Sequence, residues 1–83
     1  MNETDNEYPS VRVGAILKDG FCSGIFGSDS FGKKIIVALG HHWVVAQEID
    51  AYPPKKAPCV ASEESHHFLF QALEDAINYE RED

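Results

Sequence analysis

The sequence predicts an α+β domain in the order ββββα, a four-stranded antiparallel meander of two hairpins with one C-terminal helix packed on it. Three observations carry that prediction. Alternating or β-branched apolar runs occupy 11–18, 21–26, 33–39 and 43–49; Asp19-Gly20 and Gly40-His41-His42 divide them into two pairs; and from about Glu63 to about Tyr79 apolar residues recur at helical spacing. An SH3-like small β-barrel with a C-terminal helix is the alternative, because short strands with glycine at the bends also curl into barrels.

In the first run, Val11, Val13, Ala15 and Leu17 alternate with Arg12, Gly14, Ile16 and Lys18. The Asp19-Gly20 pair that follows suits a type I′ turn, whose central residues need positive φ, so the return strand is expected over 21–26. The second pair is KKIIVAL at 33–39 and WVVAQEI at 43–49. The former is apolar on both faces, as a central strand covered on both sides would be. Residues 51–61 hold three prolines, which lack amide donors and read as an extended connection rather than a strand.

The helix is expected over 63–79, with Ser62 as N-cap and Glu63 and Glu64 in the first turn, where the helix dipole favours negative charge. No glycine marks its end. At about 100° per residue, Phe68, Leu69, Phe70, Ala72, Leu73, Ala76, Ile77 and Tyr79 span an arc of about 200°, wider than one sheet face covers. Either Phe68 and Tyr79 or Phe70 and Ile77 should therefore lie at an uncovered margin. The expected core is Val11, Val13, Ile25, Ile36, Val44, Leu69, Leu73 and Ile77, with Trp43 partly buried.

With 83 residues the chain has room for a single domain, here 10–83 behind an acidic tail at 1–9. Its formal charge of −7 is unevenly placed. Residues 1–7 carry −3, residues 8–61 carry +2, and residues 62–83 carry −6. That balance opposes phosphate backbones and anionic lipid. Cys22 and Cys59 are too few and too far apart for a disulfide scaffold, and no apolar run approaches the ~20 residues of a membrane span, so a cytoplasmic protein is expected.

Chemistry-bearing patterns are sparse. His41-His42, His66-His67 and the two cysteines supply zinc-ligand types, but adjacent histidines in a strand point to opposite faces and no ligand pair has zinc spacing, so no metal is expected. The expectation is that His66 edges the apolar arc while His67 and one of His41 and His42 lie in water. No nucleophile has a base and orienting group in a local motif, and FCSGIFGSDSFG lacks both phosphate-loop patterns, so no catalytic residue and no cofactor are assigned.

Two binding functions remain from different classes. Lys18, Lys33 and Lys34 with Phe21, Phe26, Phe31 and Trp43 could form a nucleic-acid platform, opposed by the acidic helix within about one Debye length, roughly 8–10 Å. The favoured expectation is a non-enzymatic protein-binding module using Glu63, Glu64, Phe68, Phe70, Glu74, Asp75 and Tyr79, where an apolar margin meets acidic residues. In size, acidity and lack of motifs the chain resembles the general run of small phage-encoded inhibitors of host or immunity enzymes, which implies an inhibitor or a nucleic-acid charge mimic. A homodimer through the C-terminal helix is the structural alternative.

Overall fold

A computed structural model describes residues 7–19, 25–26, 32–49 and 57–80. It contains β1 (Ile16–Leu17), β2 (Lys34–Leu39), β3 (Trp43–Glu48), β4 (Cys59–Ser62) and α1 (His66–Ile77). The strands form one antiparallel sheet in the order β1-β2-β3-β4, followed by the helix. The predicted α+β class and ββββα order hold, and the sheet is not a closed barrel.

Two of the four strands differ from those expected. The run 11–18 reduces to β1 because residues 12–14 turn: Ala15 N–H donates to Arg12 O at 3.1 Å, and Gly14 has φ 97, a conformation open to glycine. Val13 is accordingly 59% exposed and is no core residue. Leu17 pairs with Lys34 and Ile16 with Ile35, so β1 closes onto β2. Gly20 of the expected turn and residues 21–24 of the expected return strand lie outside the described residues, and Ile25 and Phe26 form a turn.

The missing strand is β4, inside the stretch read as a proline-rich connection. Past Pro58 the run Cys59–Ser62 alternates buried and exposed positions, and it pairs with β3 from Ala46↔Cys59 to Trp43↔Ser62. A proline just ahead of an edge strand removes no ladder donor, which is why it is tolerated there. A bulge at Val37 shifts the β2–β3 register between Ile36↔Ala46 and Ala38↔Val45. It turns Val37 outward and leaves the inward positions in step.

The helix is shorter than expected. Ser62 closes β4, so the N-cap is Ser65, whose Oγ accepts the Phe68 amide at 3.1 Å. Glu63 and Glu64 precede the helix and do not occupy its first turn. At the other end Asn78 supplies the stop that no glycine provides: its backbone N–H donates to Glu74 O at 3.0 Å and its side-chain amide to the same carbonyl. Ala76 O, a carbonyl with no partner within the helix, accepts from Lys18 N and Asp19 N at 2.9 and 3.2 Å.

The core lies between the helix and one face of the sheet. Leu69, Leu73 and Ala76 form the buried stripe of α1, meeting Leu17, Ile36, Val44, Ala46 and Ala61. Tyr8 and Val11 belong to the same cluster, so the acidic tail ends before Tyr8. Ile25 and Ile77 are half-buried against it. At the far end of this face Lys34 and Glu48 stand opposite each other in register, both buried. The Lys34 ammonium donates to Gly32 O at 3.0 Å and lies 5.5 Å from the centroid of the Phe26 ring.

Candidate functional site

The helix decides which apolar margin stays open. Tyr8 covers one side, its ring 5.7 Å from that of Phe70 with the planes tilted by 62°. Phe70 is thereby half-buried, and Ile77, two turns on, is likewise half-buried against the core. The other side is left uncovered: Phe68 is 53% and Tyr79 46% exposed. Asp75 is exposed too, and seven residues after Phe68 it falls on the same side of α1, whereas Tyr79 lies past the Asn78 cap, beyond the helix end. Of the two edges expected from the periodicity, the one at Phe70 and Ile77 is half-buried and the one at Phe68 is open.

The acidic residues divide in the same way. Glu64 and Asp75 are exposed, while Glu74 is half-buried and occupied: its carboxylate accepts from Ser10 N at 3.2 Å and from Asn78 Nδ2 at 2.9 Å. Glu74 is a bracket between the N-terminal segment and the helix end. Asp75 accepts from Gln71 Nε2 at 3.1 Å across one helical turn. Glu63 and Glu64 line an open cleft of about 590 Å³ with His42, Trp43 and Ser62.

Trp43 is held there by a glycine. A Cβ at Gly40 would overlap indole atoms Nε1 and Cε2, so the ring can lie across the β2–β3 turn only because that Cβ is missing. The turn is closed by Gly40 N–H donating to Trp43 O at 2.9 Å, and the indole remains 43% exposed.

Sequence spacing scattered the histidines, but the fold gathers them. The turn carrying His41 and His42 meets the start of α1, where His66 Nδ1 donates to His41 O at 2.7 Å and His42 Nδ1 donates to Glu63 O at 3.2 Å. His41 and His66 stack with centroids 3.8 Å apart and planes 7° from parallel; the His42 ring is 4.6 Å from that of His41. His66 further meets Phe70 at 4.1 Å and Tyr8 at 6.1 Å. His67, exposed as expected, still pairs through Nδ1 with the Tyr8 hydroxyl. Nothing in the residue pattern announced this cluster, because it depends on which strand end the helix start abuts.

Glu7, Tyr8, Val11, Leu39, Gly40, His41, His66 and Phe70 enclose a second cleft of about 520 Å³. Two of its groups titrate away from their ordinary values. Burial, aided by the Glu7 carboxylate, pushes the Tyr8 hydroxyl up, and burial, aided by His66 and His42, holds His41 down. Parallel stacked imidazoles direct their ring lone pairs within separate planes, so His41 and His66 as placed do not converge on one ion. Among the described residues no group of three His, Cys, Asp or Glu side chains is arranged to hold a metal.

The residues of the nucleic-acid alternative are dispersed. Lys34 is fully buried, Lys18 and Lys33 are exposed, Phe26 is half-buried, and Phe21 and Phe31 lie outside the described residues. A second apolar strip escaped the sequence reading: on the sheet face away from the helix, Ala38, Val45 and Val60 form a cross-strand row beside exposed Val37. Its signal was present in the two-sided apolar character of β2, but the expectation of cover on both faces concealed it. Among the described residues no helix is long and apolar enough to cross a membrane.

The described residues form a small α+β domain with an open apolar edge at Phe68 beside exposed Asp75 on the helix and a second apolar strip at Val37 and Val60 on the far sheet face. No protein-family model, curated protein or solved structure matches the chain.

Proposed function

We propose that this chain is a non-enzymatic protein-binding module that takes a basic surface of a partner along the open side of α1. The observation that carries the reading is the exposure of Phe68 on a helix whose Leu69, Leu73 and Ala76 already fill the sheet face, with a second exposed aromatic, Tyr79, just past the helix end. Aromatic anchors beside charged residues supply contact area and orientation together. Asp75, Glu64 and the −7 of the whole chain make a basic partner the complementary one, and steering by that charge gives fast, salt-sensitive association.

The biological form that fits best is a cytoplasmic inhibitor or decoy, of the phage-encoded kind, occupying the basic groove of a nucleic-acid-handling enzyme. A photo-crosslinking phenylalanine analogue at position 68 tests this in host lysate. Crosslinking to a protein with a basic groove is expected, diminished at high salt and by Glu64→Lys with Asp75→Lys. Unchanged capture and salt dependence in that folded charge-reversal variant would reject the reading. Crosslinks between copies of the chain, with dimers in sedimentation, would favour the homodimer instead.

A further inference from the structure

We infer that the His41–His66 stack is a pH-operated clasp that holds Glu7 and Tyr8 on the helix at neutral pH and releases them in mild acid, baring Phe70 as a second open margin. This goes beyond the partner reading and is tested without a partner.

The clasp joins three parts of the chain. The β2–β3 turn contributes His41 and His42, the start of α1 contributes His66 and His67, and the N-terminal segment contributes Glu7 and Tyr8. Each neutral ring has a defined task. His66 donates Nδ1–H to His41 O, and His42 donates Nδ1–H to Glu63 O, which fixes both tautomers and leaves each Nε2 to take the incoming proton. Tyr8 lies against His66, His67 and Phe70, and with its hydroxyl donating, Nδ1 of His67 is the acceptor.

Acid turns the contact between the rings repulsive. Protonated His66 keeps its bond to His41 O, but with His41 also protonated two cations stand face to face at 3.8 Å with His42 4.6 Å from His41. Protonated His67 no longer accepts from Tyr8. Glu7 is the carboxylate that shares the cleft with the stack, and it offsets one such charge. Glu63 faces His42 through its carbonyl, and its carboxylate and that of Glu64 line the neighbouring cleft. The ladder of β2, β3 and β4 involves none of these side chains, and Ser10 and Val11 keep their own ties to the Glu74 carboxylate and to the core, so Glu7 and Tyr8 can leave while the sheet persists.

NMR of the whole chain between about pH 7.5 and about pH 5, the range in which histidines change charge, decides the question. The Tyr8 ring signals, shifted at neutral pH by the rings around them, are expected to move toward free-tyrosine positions with the midpoint of the His41 imidazole, while the Val44 and Ala46 amides stay protected from exchange. His41→Phe, which keeps a flat ring over His66 but takes no proton, is expected to hold Tyr8 in place at the acid end. Three results would overturn the clasp: Tyr8 signals unmoved while His41 titrates, release in His41→Phe at the wild-type midpoint, or loss of Val44 and Ala46 protection together with Tyr8. The first and third need only the wild-type chain.

Discussion

The amide of Lys18 donates to the carbonyl of Ala76 at 2.9 Å, so the residue leaving β1 terminates the last turn of α1. Glu74 repeats the connection from the helix side, accepting the Ser10 amide and the Asn78 side chain. The helix C-terminus, which lacks a glycine stop, is thus finished by the other end of the chain.

Glu74→Ala should therefore destabilise the fold by about 1–3 kcal/mol, since it leaves the Ser10 amide without its acceptor and removes one of the acceptors of the Asn78 side chain. Asp75→Ala, one residue on, should stay within about 0.5 kcal/mol. Urea unfolding of the two variants side by side checks the contrast, and equal losses would contradict the bracketing role of Glu74.

Leu73→Ala removes a fully buried side chain from the centre of the helix stripe and should cost about 2–5 kcal/mol. A domain of this size holds a margin of only about 5–15 kcal/mol, so partial unfolding at room temperature is within reach. Phe68→Ala should cost little by comparison, its ring being half in water already. The comparison of their denaturation midpoints verifies which face of the helix is inside.

Gly40→Ala sets a methyl group where the Trp43 indole lies. The ring must swing away from the turn, at a cost of about 1–3 kcal/mol if the β-turn resists. Tryptophan emission reads the change directly, because the chain has one tryptophan, and a red shift is the expected direction.

Stability should fall as pH drops below the ordinary histidine value of about 6.5. His41 is held below that value by burial, by His66 and by His42, so in the window between its lowered folded value and the ordinary one the unfolded chain binds more protons. Its contribution is complete above that window and is lost progressively on acidification. Urea midpoints at neutral and mildly acid pH should separate for the wild-type chain and draw together in His41→Phe.

Local pattern was enough for β2, β3 and the body of α1, because each carries its own evidence: β-branched runs flanking a glycine turn, and apolar residues at helical spacing. It failed at 11–14, where the chain turns instead of extending, and at Cys59–Ser62, for one reason. A short run states a local preference, and which strand takes the sheet edge is settled by the ladder it joins. The candidate site divides likewise. Phe68 was legible as one edge of a wide arc, but Tyr79, expected beside it, lies beyond the helix end, and the choice of open edge belonged to Tyr8, which lay in a stretch read as an acidic tail.

By itself the sequence determined the class of fold, the central hairpin, the buried pair Leu69 and Leu73 on the helix and the acidic surplus of the C-terminal segment, whereas Ala76 rather than Ile77 completes the buried stripe. The tertiary structure alone decided the partner of β1, the identity of the fourth strand, the caps of the helix and the meeting of His41 with His66. Those outcomes rest on contacts between residues far apart along the chain, whose formation depends on the packed arrangement of the whole core and leaves no periodicity or spacing to read.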